Sequence, residues 1–192
     1  MTVWALIPVK ARGRGKTRLA PALPPHERDR LVEAMLSRVI EAAAGAVDRT
    51  ILLGPPRGAL PFIFDDGDGL NAALENALAI LSRGAPPDRL IVVAGDLPRL
   101  DAQDLRQLAA LPACTLGIAT DRHGTGTNAL SLPLPKAAGF RFQYGTGSAE
   151  LHRAAAETLG LNAVTITTSG LAKDIDEPAD LADAEHLFAL AN

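Results

Sequence analysis

Five basic residues, Lys10, Arg12, Arg14, Lys16 and Arg18, fall within nine positions, with Gly13 and Gly15 threaded between them. They belong to a chain with 19 Lys and Arg residues and a formal net charge of -3, so the concentration is local and calls for a local partner. Glycines let the backbone approach a phosphate while Lys and Arg side chains neutralise it, which suits this segment to a polyphosphate. A solvated basic loop is the plainer alternative. Because the segment follows the apolar run Trp4 to Val9, which reads as a buried strand, we take it as a triphosphate-binding loop. Gly15-Lys16-Thr17 matches the end of G-x-x-x-x-G-K-[ST], but the first glycine position is Lys10. Pro21, Pro24 and Pro25 also follow too closely for the helix that a P-loop threonine begins.

The acidic counterparts lie far away in sequence. Asp96 ends the run Leu90 to Gly95 and precedes Leu97-Pro98, which puts a carboxylate at the end of a central strand, where leaving it unpaired would be costly. Asp101 is already placed to cap the helix containing Leu105, so Asp96 reads as a magnesium ligand, a hard oxygen donor beside a substrate phosphate. In Lys173-Asp174-Ile175-Asp176, extended alternation sets Asp174 and Asp176 on one side, able to share a metal, with Ile175 opposite. Asp176 could equally cap a last helix ahead of Pro178. Asp65, Asp66 and Asp68 read as a solvated turn before a helix starting near Gly69, where the helix dipole favours negative charge.

The elements that must position these groups follow from the hydrophobic pattern. Apolar runs at Val3 to Val9, Thr50 to Leu53, Phe62 to Phe64, Arg89 to Ala94 and Leu116 to Ala119 read as strands. Helical spacing joins Leu31, Met35 and Val39, then Leu70, Leu74, Ala77, Leu78 and Leu81, then Leu105 and Leu108, Leu151, Ala155 and Leu159, and finally Leu181, Ala184 and Phe188. Successive apolar residues such as Leu90-Ile91-Val92-Val93 suit a parallel strand covered on both faces. The fold class is therefore α/β, a single domain over residues 1–192 with a mostly parallel central sheet flanked by helices. Ligands of such sheets bind beyond the carboxyl ends of the strands.

Composition excludes several function classes. Aromatic residues make up 4% of the chain and the net charge is negative, which argues against nucleic-acid binding. The longest apolar run falls far short of the ~20 residues of a membrane span. Basic residues after the apolar run, the reverse of a secretory signal, point to a cytoplasmic protein. Cys114, the single cysteine, sits in an apolar stretch and is expected in the core.

Two glycine-rich segments remain. Asp121-Arg122-His123-Gly124-Thr125-Gly126-Thr127-Asn128 lacks the third glycine and the helix of a dinucleotide fingerprint. Tyr144-Gly145-Thr146-Gly147-Ser148 opens a helix, with Ser148 as its expected N-cap and free amides for an anion, although an ordinary glycine turn would look the same.

Taken in order, these motifs resemble the 2-phospho-L-lactate guanylyltransferases and their phosphoenolpyruvate- and 3-phospho-D-glycerate-using relatives of coenzyme F-420 biosynthesis. The resemblance runs nearly end to end. It rests on Pro8-Val9-Lys10 with Lys16-Thr17-Arg18-Leu19, Gly69-Leu70-Asn71 with Ala73-Leu74, Gly95-Asp96-Leu97-Pro98, and Asp121-Arg122 with Gly124 to Asn128. Gly145 with Gly147-Ser148 and His152, and Asp174-Ile175-Asp176, complete it. It implies a nucleotidyltransferase-like fold that transfers GMP from GTP to the phosphate of a small phosphorylated carboxylic acid. Lys10, Arg12, Lys16 and Arg18 would meet the GTP phosphates, and Gly69 and Asn71 would lie beside the base. Asp96, Asp174 and Asp176 would hold Mg2+, and Thr127, Gly145 and Ser148 would receive the acid. Ala149 departs from the pattern, since comparable members place phenylalanine there, which bears on the acid's identity. His123 and His152 are candidate phosphate contacts, with structural or surface roles the plainer reading.

A molybdopterin or sugar-phosphate nucleotidyltransferase, or a non-catalytic nucleotide-binding module, would use a comparable sheet. A glycosyltransferase would place Asp-x-Asp at the end of the central strand, where residue 94 is Ala94. Assembly as a homodimer stays open.

Overall fold

A computed structural model describes residues 1–184 except Arg14 and Asp66; these two and Phe188 of the expected last helix lie outside the described residues. The elements run β1 (Val3–Pro8), α1 (Pro25–Ala44), β2 (Arg49–Leu53), β3 (Phe62–Ile63), α2 (Leu70–Leu81), β4 (Arg89–Val93) and α3 (Ala102–Ala109). They continue with β5 (Thr115–Thr120), β6 (Thr127–Pro133), α4 (Ser148–Thr158), β7 (Asn162–Ile166) and α5 (Ser169–Ala172). Short 3-10 turns cover Thr17–Leu19 and Pro178–Ala184.

One seven-stranded sheet has the order β3-β2-β1-β4-β6-β5-β7. Only β6 runs against its neighbours β4 and β5, so the sheet is mostly parallel as the apolar runs require. Side-chain alternation along the central strands divides the core. Leu6, Leu90 and Val92 pack with α2 residues Leu74 and Leu78 on one face, while Ala5, Ile7, Ile91 and Val93 pack with Leu36, Val39 and Leu105 on the other. Burial on both faces is why these strands read as continuous apolar runs.

The topology determines where the loops meet. From β1 the chain moves outward to β2 and β3, then returns to β4 on the other side of β1, and the crevice of an open α/β sheet forms at that switch. Leu6 pairs with Val92, so the segments leaving β1 and β4 emerge side by side. Because β6 is antiparallel to β4, with Val93 opposite Ala129, the start of β6 lies at the carboxyl end of β4. Ala94 N–H donates to the Asn128 carbonyl at 2.8 Å and extends that pairing to the crevice edge.

A third, smaller core joins Leu19, Leu31, Met35, Ile175 and Ala184. Leu19 belongs to the basic loop and Ile175 to the second acidic segment, and neither is exposed at all. Burying both against α1 fixes the two loops to one another. Asp101 caps α3 as expected, in a reciprocal capping box with Asp104.

Two expectations need correction. Cys114 is exposed, because it falls in the turn before β5 and only the apolar residues after it, from Leu116, belong to that strand; Lys136 Nζ donates to its Sγ at 2.9 Å. Ser148 is the first residue inside α4, not its cap; Gly147, at φ 70°, takes the N-cap position in the left-handed region that glycine tolerates best.

Candidate functional site

A cleft of about 820 Å³ opens beyond the carboxyl ends of β1 and β4. Its walls bring together Lys10, Lys16, Arg18, Gly69, Asp96, Thr127, Gly145, Asp174 and Asp176, nine residues drawn from across the chain. Three other expected residues face elsewhere. Arg12 donates to Glu33 on α1 at 3.2 Å. Asn71 Nδ2 donates to the Tyr144 carbonyl at 3.1 Å while its Oδ1 accepts from Tyr144 N–H at 2.8 Å, so it clamps the backbone of the 143–147 loop onto α2. Ser148 is buried behind the cleft wall, its hydroxyl donating to Thr127 Oγ1 at 3.0 Å.

Lys16 is the electrostatic centre. It adopts φ 53°, the left-handed region that L-residues with a Cβ enter at a cost of roughly 1 kcal/mol. Its ammonium donates to Asp96 Oδ2 at 2.5 Å and to Asp176 Oδ1 at 2.8 Å, and its side chain is only 8% exposed. Burial opposes the positive charge, but Asp96 and Asp176 outweigh it and hold the lysine pKa above its ordinary value. Asp174 completes the acidic side. Burial, then the charges of Asp96 and Asp176, push its carboxyl above the usual range, against the opposing bond from Asn128 Nδ2 at 3.4 Å. Asn128 also donates to the Leu171 carbonyl at 2.9 Å, so β6 carries α5 and, through it, the acidic segment. Asp180 fastens the far end of that segment by accepting from the backbone N–H of Asp176 and Glu177, and Arg122 pairs with Asp180.

The three carboxylates suit a hard cation in type and charge, since two of them already share one ammonium and the third is crowded by both. Among the described residues no group of three or more His, Cys, Asp or Glu side chains stands arranged to hold a metal ion, and Lys16 supplies the counter-charge between Asp96 and Asp176.

The adjoining wall, at the start of β6, is neutral. His152 is wholly buried, and burial lowers its pKa to about 4, so the ring is uncharged at neutral pH. Its Nδ1 lies 3.0 Å from Thr127 Oγ1 and its Nε2 accepts from Gln143 N–H at 2.9 Å. This resolves the choice left by sequence: His152 is an interior residue behind the cleft, whereas His123 is exposed beside Arg122. Residues that sequence reasoning missed are Asp65, expected in a solvated turn yet lining the cleft, and Tyr144, whose only signal was its place before Gly145.

The open α/β sheet with lysines and aspartates gathered in a switch-point cleft is the fold of solved nucleotidyltransferases. A nucleotidyl transferase from Methanothermobacter superposes with a TM-score of 0.67 at 18% identity, covering 100% of this chain and 99% of that one. The 2-C-methyl-D-erythritol 4-phosphate cytidylyltransferase of Francisella tularensis gives 0.61 at 14% identity, covering 97% and 100%. Sequence narrows the class. Residues 3–186 match the family described as "Guanylyl transferase CofC like", and the chain belongs to that family. A phosphoenolpyruvate guanylyltransferase of Sphaerobacter thermophilus is 40% identical over 196 residues, covering 95% of this chain and 92% of that protein. A namesake from Chloroflexus aggregans is 38% identical over 186 residues, covering 89% and 91%. No helix among the described residues is long and apolar enough to cross a membrane.

Proposed function

We propose that the protein transfers GMP from GTP to the phosphate of a small phosphorylated carboxylic acid and releases pyrophosphate, as a step of coenzyme F-420 biosynthesis. Phosphoenolpyruvate is the first acid to test, because the relatives share that name, with 2-phospho-L-lactate and 3-phospho-D-glycerate as the others. The observation that carries the reading is that Lys10, Lys16 and Arg18 share the lining of one cleft with Asp96, Asp174 and Asp176, with Thr127 and Gly145 on the adjoining wall.

A phosphate oxygen of the acid attacks the α-phosphorus of GTP, a new P–O–P bridge forms, and the bond from the α-phosphorus to the bridging oxygen of pyrophosphate breaks. With a second pKa near ~6, the acid's phosphate is already anionic at neutral pH, so no general base or protein nucleophile is needed. The chain's own work is to align attacker and leaving group and to stabilise their charge. Lys10, Lys16, Arg18 and Arg12 serve the triphosphate, with Arg12 released from Glu33. Gly69 borders the nucleoside, and Asn71 acts there through its clamp on Tyr144. Thr127, Gly145 and Ser148 form the acid's side, Ser148 through Thr127. Asp96, Asp174 and Asp176 would hold Mg2+, which when bound supplies positive charge beside the phosphates.

The test is purified protein with GTP and Mg2+, offered each of the three acids in turn while pyrophosphate and nucleotide product are recorded. Acid-dependent pyrophosphate release is expected. GTP binding without turnover on any acid would instead indicate a binding module.

A further inference from the structure

We propose that His152, which never reaches the cleft surface, is a positioning residue that turns the Thr127 hydroxyl into an obligate donor aimed at an anionic oxygen of the phosphorylated acid. The inference rests on the reading that Thr127 faces that acid, and adds what orients it and which atoms it selects.

The chain of bonds leaves one arrangement. The Gln143 backbone N–H can only donate, and it lies 2.9 Å from His152 Nε2, so Nε2 must present a lone pair. A neutral imidazole carries one N–H, which is therefore on Nδ1. Nδ1–H meets Thr127 Oγ1 at 3.0 Å, and the threonine oxygen accepts. The reverse assignment, with Thr127 donating to Nδ1, would move the ring proton to Nε2 and set two donors head to head in a buried site, which is costly.

Ser148 closes the remaining freedom. Its hydroxyl is buried and, among the described residues, has Thr127 Oγ1 as its one partner, at 3.0 Å. A buried hydroxyl proton needs an acceptor, so Ser148 donates and Thr127 accepts again. Both lone pairs of Thr127 Oγ1 are then occupied, while its own proton has no acceptor among the described residues. Thr127 lines the cleft, and the direction left for that proton is the open one. A donor with no accepting capacity selects a phosphate or carboxylate oxygen over a group that must itself donate.

The surroundings keep the arrangement fixed. The rings of Phe140 and Tyr144 lie 5.7 and 4.9 Å from the imidazole, centroid to centroid. With aromatic rings and a hydroxyl around it, and no carboxylate bonded to it among the described residues, the imidazole stays uncharged and keeps one tautomer.

Two measurements test the inference. Long-range nitrogen–proton NMR of the labelled protein at neutral pH should show His152 protonated on Nδ1 alone; protonation on Nε2, or averaging between tautomers, overturns the relay. In kinetics with phosphoenolpyruvate, Thr127→Val should raise KM for the acid about 10- to 100-fold, the scale of a lost bond to a charged oxygen, while KM for GTP stays within twofold. Thr127→Ser should recover most of the loss. His152→Phe, which keeps a ring against Phe140 and Tyr144, should also raise the acid's KM, yet add less than twofold to Thr127→Val. Fully additive losses would mean that His152 acts structurally and not through Thr127. Should His152→Phe not fold, the tautomer of His152 read in the wild-type protein decides the relay by itself. An unchanged acid KM in Thr127→Val would remove Thr127 from the acid site, whereas a normal Thr127→Val effect without coupling sinks only the relay.

Discussion

On one side of the cleft, past the ends of β1 and β4, Lys16 is clasped by Asp96 and Asp176 with Asp174 crowded beside them; on the other, at the starts of β6 and α4, Thr127, Ser148 and His152 carry no charge at all. The charged side is partly open to water, with Asp176 49% exposed; on the proposed reading its components exchange partners when a triphosphate arrives. The neutral side is buried except where Thr127 meets the cleft, and its hydrogen bonds have one consistent assignment. The difference teaches a division of labour. A departing pyrophosphate needs mobile, strong charge, whereas choosing a small acid needs a donor whose direction is settled beforehand.

The comparison can be broken most decisively on the charged side. Asp96→Asn should lower turnover about 10³-fold while leaving the circular dichroism spectrum unchanged; near wild-type pyrophosphate release by the folded variant would remove Asp96 from the chemistry. Lys16→Met should weaken GTP binding about 10- to 100-fold in calorimetry, since a charge-assisted contact is lost. An unaltered GTP affinity would leave the lysine as nothing more than an internal counter-ion.

Packing beneath the charged side gives a subtler test. Leu19→Ala should cost about 2–4 kcal/mol of stability, the usual result of a buried leucine truncation. Because Leu19 and Ile175 share one small core, it should also raise KM for GTP several-fold and spare KM for the acid. Equal changes in both constants would show that the two sides are not separately supported.

The neutral side is tested through its pH dependence. The pKa of His152 is about 4 in the folded protein and near 6.5 when unfolded, so between those values the unfolded chain binds a proton that the folded chain refuses. Stability is therefore fully present above pH 6.5 and falls as pH drops toward 4, by on the order of 3 kcal/mol. Urea titrations should show His152→Asn losing less stability than wild type across that window. Matching slopes would mean that the histidine titrates normally.

How much of this was legible in the chain follows the same division. Leu90-Ile91-Val92-Val93 announced a doubly covered strand, and the residue types at Lys16, Asp96 and Asp174 announced charge looking for a counterpart. Side chains that act by charge can be read from type and position in a strand order. β6 escaped notice, since its start is hidden in Gly124-Thr125-Gly126-Thr127-Asn128 and its run is broken by the buried Ser131. β7 lies at the sheet edge and mixes exposed and half-buried residues, so it lacks the apolar run of the interior strands. Asn71 was expected beside the base, and the partner it holds is a backbone 73 residues away, a relation that no local pattern carries. His152 was least legible of all, because its role depends on which nitrogen carries a proton, and that is decided by Gln143 N–H across a tertiary contact.

The central claim is that the guanylyl group leaves GTP for the phosphate of a small acid. It is tested most directly by following GTP labelled at the α-phosphorus, with Mg2+ and phosphoenolpyruvate, and resolving the products. The account predicts that the label enters an acid-dependent diphosphate-bridged product in equal amount to the pyrophosphate released. Label retained in GTP, or recovered as GMP whether or not the acid is present, would contradict it.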